Sequence, residues 1–231
     1  MQFKWTLAIV AVGVMAGAVT ADQLELTGVV RDFKRGDWSD GHPDFQTAGS
    51  MGRFGHVRGL VGMDLGEDGR PMYASERPNK DTIQSADSLA QWYADVPGVN
   101  VSMPLTLTLS NGQDGPGGIY TFASNSFFPI DGQMMGNQSL SHNYHFTFML
   151  STRFSYEPGQ FFTFVGDDDV WVYVNGKKVI DLGGVHSAVD GSVLLLDGKA
   201  FVEKADFSVG GDVKSVSSTL DSSSLPDSIM P

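Results

Sequence analysis

A chain of 231 residues with a formal net charge of −12, five histidines and no cysteine excludes several classes of function at the outset. Disulfides, cysteine-ligated zinc and thiol catalysis are ruled out by composition, and the acidic balance argues against nucleic acid or an anionic membrane as partner. Hydrophobic residues at 41% and aromatics at 11% suffice for a packed core, while 28 Gly and 10 Pro suit a chain of many short strands joined by turns.

The first 21 residues have the layout of a secretory leader. Lys4 supplies the positive flank, Leu7 to Ala18 the apolar run, and Val19, Thr20 and Ala21 the small residues before polar Asp22. A membrane span needs roughly 20 apolar residues, more than this run contains. The expected product is exported and soluble, beginning near Asp22.

Leu24 to Arg31 alternates as a first strand. The stretch from Asp32 to Pro71 has no sustained period and reads as long surface loops. One helix is expected between Pro78 and Pro97, capped by Asp81 or Ser85, with Ile83, Ala86, Leu89, Ala90, Trp92 and Tyr93 on one face against a sheet. From Val101 the period becomes two. Leu105, Leu107 and Leu109 form one strand, with Asn111-Gly112 as its turn, and Tyr144, Phe146, Phe148 and Leu150 the apolar face of another. Phe161 to Val165 and Val170 to Val174 flank an acidic triplet, Asn175-Gly176 is a type I′ hairpin signal into Lys177 to Leu182, and a last hairpin spans Val193 to Phe207 around Asp197-Gly198. Many strands with one short helix predict an all-β antiparallel sandwich over residues 22–211. Residues 212–231, rich in Ser, read as a disordered tail.

Asp167, Asp168 and Asp169 are the chemical feature of the chain. Adjacent carboxylates repel one another, and a hard divalent cation relieves that repulsion. Calcium accepts six to eight oxygen ligands in irregular geometry, which suits carboxylates and loop carbonyls. A calcium ion in a shallow loop can in turn be completed by vicinal sugar hydroxyls. The competing reading is a solvated turn whose aspartates end one strand and begin the next, and composition leaves both open.

Several segments together resemble the fibro-slime domain, a branch of the protective-antigen-type (PA-fourteen) β-sandwich superfamily. They are Thr27-Gly-Val-Val-Arg-Asp-Phe33, His42-Pro-Asp-Phe45, Gln91-Trp-Tyr-Ala-Asp-Val-Pro-Gly-Val-Asn100, Phe127-Phe-Pro-Ile-Asp131, His142-Asn-Tyr-His-Phe-Thr-Phe148, Phe164-Val-Gly-Asp-Asp-Asp-Val-Trp-Val-Tyr-Val-Asn-Gly176 and Asp181-Leu-Gly-Gly-Val-His186. The resemblance implies a jelly-roll sandwich of extracellular, surface-associated proteins. In lectin-type relatives an aspartate pair in this loop, joined by a cis peptide, holds calcium, and the pair falls here on Asp167 and Asp168. After Leu196 the pattern departs from the family, so a C-terminally shortened domain with part of its ligand set is expected.

Other candidates carry less. His142, His145 and His186 suit structural or surface positions, and alternation turns His145 toward solvent. Asp32, Asp44 and Glu76 are carboxylates that a glycosidase would need in pairs, but sequence places no two of them together. Trp92 and Trp171 suit the core, whereas Trp38, in a loop, is the candidate for stacking on a sugar ring. The expectation is therefore a secreted, non-enzymatic, calcium-dependent carbohydrate-binding or adhesion module, with polysaccharide or cell-surface glycan as partner and Asp167, Asp168, Asp169 and Trp38 as its site. The alternative is a structural matrix or slime component with no defined ligand.

Overall fold

The computed structural model describes residues 8–12, 23–45, 56–74, 83–111, 119–154, 156–166, 169–196 and 199–204. Twelve strands and one helix are ordered β1 (Ala8–Val12), β2 (Gln23–Phe33), β3 (Val61–Leu65), β4 (Pro71–Tyr73), α1 (Ala86–Trp92), β5 (Asn100–Asn111), β6 (Ile119–Phe122), β7 (Phe146–Met149), β8 (Gln160–Gly166), β9 (Val170–Val174), β10 (Lys177–Leu182), β11 (Val189–Leu196) and β12 (Lys199–Lys204). The larger sheet runs β12-β11-β8-β1-β6-β5-β2-β7 and the smaller β4-β3-β10-β9. The fold is an all-β arrangement of antiparallel sheets with one short helix.

Alternation explains most of these strands. In β5 the buried positions Leu107 and Leu109 alternate with exposed Thr106, Thr108 and Ser110. β2 begins in the same way and becomes buried from Val30 to Phe33, where other elements cover both of its faces. Asn175 and Gly176 both have positive φ (50° and 76°), the conformation that a two-residue turn between β9 and β10 requires.

The sheets meet through two clusters. Val179, Ile180 and Leu182 of β10 pack with Val193 and Leu195 of β11, and Phe162, Phe164, Val170, Val172 and Val174 close around them. Gly191 marks the tightness of this contact, since an added Cβ would meet Ile180 Cγ2 at 2.7 Å. Farther along, Leu89 and Trp92 of α1 join Phe33, Phe45, Leu60 and Val61, with Trp171 and Tyr173 against them. Each of these larger apolar side chains contributes about 1.5–3 kcal/mol by leaving water.

Three expectations are corrected. The 32–71 stretch is not all loop, because β3 lies within it and forms a hairpin with β4, which begins at its last residue, the amide of Gly66 donating to the carbonyl of Arg70 at 2.8 Å. The helix is shorter than its flanking prolines allow. Ser85 caps it in a capping box with Ser88, and Ser88 is buried with Leu89 and Trp92 while Ala86 and Ala90 are exposed. His145 faces inward at 1% exposure, on the side of the chain where Thr147 meets the end of α1. The carbonyl of His145 accepts from Phe33 N at 2.8 Å, and Thr147 Oγ1 donates to the carbonyl of Trp92 at 2.6 Å. His186 is also buried, as the structural of the two roles expected for it requires.

Ala8–Val12, inside the run read as a leader, pairs on one side with β6 and on the other with β8. The turn expected at Asn111-Gly112, the Asp197-Gly198 turn and the 212–231 tail lie at least partly outside the described residues. No helix among the described residues is long and apolar enough to cross a membrane.

Candidate functional site

The acidic triplet lies where the chain changes sheets. β8, ending at Gly166, belongs to the larger sheet and β9, starting at Val170, to the smaller, so the chain passes from one to the other between these two residues. The chain crosses back between β10 and β11, through Gly183, Gly184, Val185 and His186. Asp169 ties the two crossings together: its Oδ1 accepts a hydrogen bond from the amide of Gly184. Asp167 and Asp168 lie outside the described residues, as does the peptide bond between them.

A third segment, 56–59, closes on the same place. The amide of Val57 donates to the carbonyl of Gly183 at 2.6 Å, and His56 Nε2 meets the carbonyl of Asp181 at 2.9 Å. Gly183 is required here because an added Cβ would lie 2.6 Å from the carbonyl oxygen of Val57. The rings of His56 and His186 meet edge to face with centroids 5.7 Å apart. His186 Nε2 approaches the carbonyl of Leu182 at 3.2 Å and Nδ1 that of Ser187 at 2.8 Å.

Asp181 holds these loops to the sheet. Its Oδ2 accepts from Lys178 Nζ and from the amide of Gly59, at 2.7 and 2.8 Å, and its Oδ1 from Trp171 Nε1 at 3.1 Å. Lys178 is 5% exposed at its side chain and also donates to the carbonyl of Val61 at 2.7 Å. Such a buried ion pair is tolerated because the remaining donors and acceptors are also satisfied. Burial pushes the hydroxyl pKa of Tyr93 above its usual range, with the nearby charges of Asp169 and Tyr173 acting in the same direction. Burial lowers the pKa of His56, and the positive Arg58 and His186 add to that while the carbonyl and charge of Asp181 oppose it.

The structure therefore brings Asp169 to a convergence of three loops but places Trp38 on a separate one. Trp38 is 44% exposed in the 34–45 segment, its amide donating to the carbonyl of Arg35 at 3.1 Å and its carbonyl accepting from Gly41 at 3.0 Å. Trp92 is buried in the core, and Trp171 is half-buried with its ring nitrogen on Asp181. Asp44 accepts from Trp92 Nε1 at 3.0 Å and from the amide of Gln84 at 2.8 Å, so it serves packing, and Glu76 lies outside the described residues. Among the described residues no group of three or more His, Asp or Glu is arranged to hold a metal ion.

Lys178 and Asp181 were not singled out as a pair in the sequence, and the reason is geometric. Three residues apart on a regular strand, they would point to opposite faces. The pairing of β10 with β9 shifts between Lys178 and Ile180, and this bulge brings both side chains to one side. The residue 56–59 loop left no periodic signal.

The fold and this junction together define a two-sheet β module with an acidic crossing pinned by its neighbouring loops. No protein-family model matches the chain. No solved structure matches it. Among curated proteins it is similar to protein psiR of Dictyostelium discoideum, 36% identical over 167 residues that cover 67% of this chain and 16% of that protein. Protein psiD of the same organism is 39% identical over 156 residues, covering 62% of this chain and 30% of psiD. Protein psiB is 42% identical over 109 residues, covering 43% and 19% respectively. The chain thus spans less than a third of the length of each of these three relatives.

Proposed function

We propose that this chain is a secreted module that binds carbohydrate through a calcium ion held at the 167–169 crossing. The observation that carries the reading is the bond from Gly184 to Asp169. It fixes one end of a run of three carboxylates at a point where three backbone segments converge. Asp169 takes the structural part, and Asp167 and Asp168 are the proposed ligands, with sugar hydroxyls completing the ion's shell. The apolar N-terminal run, with its small residues before Asp22, supports export.

Isothermal titration of calcium into chelator-stripped protein tests the first step. Saturable heat is expected from the unaltered chain and none from the Asp167→Asn, Asp168→Asn variant. Equal heats from the two proteins would end the proposal. A glycan array read with and without chelator then tests the second step.

A further inference from the structure

The larger sheet contains one strand that comes from the apolar N-terminal run. Ala8–Val12 lies between β6 and β8, antiparallel to both. The same residues form the apolar run of the leader that the proposed function removes. We infer that the processed protein carries an open strand-accepting seat between Ile119–Phe122 and Gln160–Gly166, which takes an extended, alternately apolar strand from another polypeptide.

The register defines the chemistry of the seat. The position of Ile9 is level with Phe122 on one side and Phe164 on the other, and that of Ala11 with Tyr120 and Phe162. The position of Val10 is level with Thr121 and Thr163. Successive positions of a strand face opposite sides of the sheet, so one side of the seat is flanked by four aromatic rings and the other by two threonines. Thr121 is exposed, and Thr163 Oγ1 pairs with Ser192 Oγ at 2.9 Å. The occupant therefore needs apolar residues at every second position and accepts polar ones between them.

The seat does not close simply by drawing its walls together. β6 and β8 are both antiparallel to β1, so they run parallel to each other about two strand spacings, roughly 9.5 Å, apart. Phe164 of β8 packs in the same cluster as Tyr120 and Phe122 of β6, around buried Leu107 and Leu109. Rings from both walls thus rest on the same buried pair, and this shared packing keeps the two walls in one layer around the seat. An added strand would satisfy the backbone of both walls, the same hydrogen bonding by which extended peptides join sheet edges elsewhere.

This inference rests on the export part of the proposed function and is independent of calcium. The full chain is secreted from a eukaryotic host and its N-terminus read by mass spectrometry. A labelled peptide of residues 7–13, with solubilising lysines outside the seat, is titrated in by fluorescence anisotropy. The chain should begin near Asp22 and bind the peptide saturably. Peptide carrying Ile9→Asp and Ala11→Asp should bind about tenfold more weakly or worse, and peptide carrying Val10→Thr within about threefold. A chain that begins near Asp22 but binds nothing, or binds all three peptides alike, overturns the seat and leaves export standing. A chain that keeps residues 8–12 overturns both, because the seat is then filled from within.

Discussion

Two acid-bearing regions of this molecule treat their carboxylates in opposite ways. At the end of β2, Asp32 is completely buried and accepts from neutral donors, among them Asn143 Nδ2 at 3.0 Å and the amide of Met135 at 2.8 Å. Asp131 continues this network, with Oδ1 on the amide of Asn143 at 2.7 Å and Oδ2 against His142 Nδ1 at 2.5 Å. At the sheet crossing, Asp181 faces a buried ammonium as well as neutral donors. Burial raises the pKa of Asp32 against the pull of its hydrogen bonds. The lesson is that Asp32, Asp131 and Asp181 are internal ties between loops and sheet, so acidity alone does not mark a ligand site.

The largest effect expected from breaking this contrast is at Asp181. Asp181→Ala removes the acceptor shared by Lys178, Gly59 and Trp171 and leaves a buried ammonium without its counter-charge. A loss of about 3–5 kcal/mol is expected from urea unfolding, and a loss below about 1 kcal/mol would show that water reaches Lys178. Asp32→Ala should cost less, about 2–3 kcal/mol, since it strands neutral donors rather than a charge.

pH separates the regions further because the signs differ. The folded-state pKa of Asp32 lies above its ordinary 3.8, so its contribution to stability is fully present below that value and is lost as pH rises through the raised one. The unfolding free energy of the wild type minus that of Asp32→Asn should therefore fall with rising pH across this window. For His56, lowered from 6.5, the contribution is present above 6.5 and is lost as pH falls through the depressed value. The same difference taken against His56→Gln should rise with pH. Parallel stability curves for a variant and the wild type would remove that group from the account.

Legibility in the sequence follows the same division. Alternation disclosed β5, and the Asn175-Gly176 pair disclosed the β9–β10 turn, because these signals are local. β3 and β4 were hidden because Val61–Leu65 contains a Gly and an Asp and Pro71–Tyr73 is only three residues, too short to show a period. His145 defied alternation because the end of α1 packs on the polar side of β7, which is a tertiary fact. The acidic run could be seen at once, but its pinning to Gly184 depends on two chain crossings that no local pattern encodes.

The smallest expected effect is the most discriminating for the proposed site. Asp169→Asn keeps an oxygen in the Oδ1 position, so the bond from Gly184 should survive and stability should change by less than about 1 kcal/mol. Asp169→Ala loses that acceptor and should cost about 1–2 kcal/mol. Calcium heat separates the structural role from a ligand role. If Asp169 only pins the crossing, Asp169→Asn binds calcium as the unaltered protein does and Asp169→Ala binds it more weakly through displacement of the loop. If Asp169 is also a ligand, loss of its charge alone weakens binding in both variants, and the division of roles within the triplet proposed above must be given up.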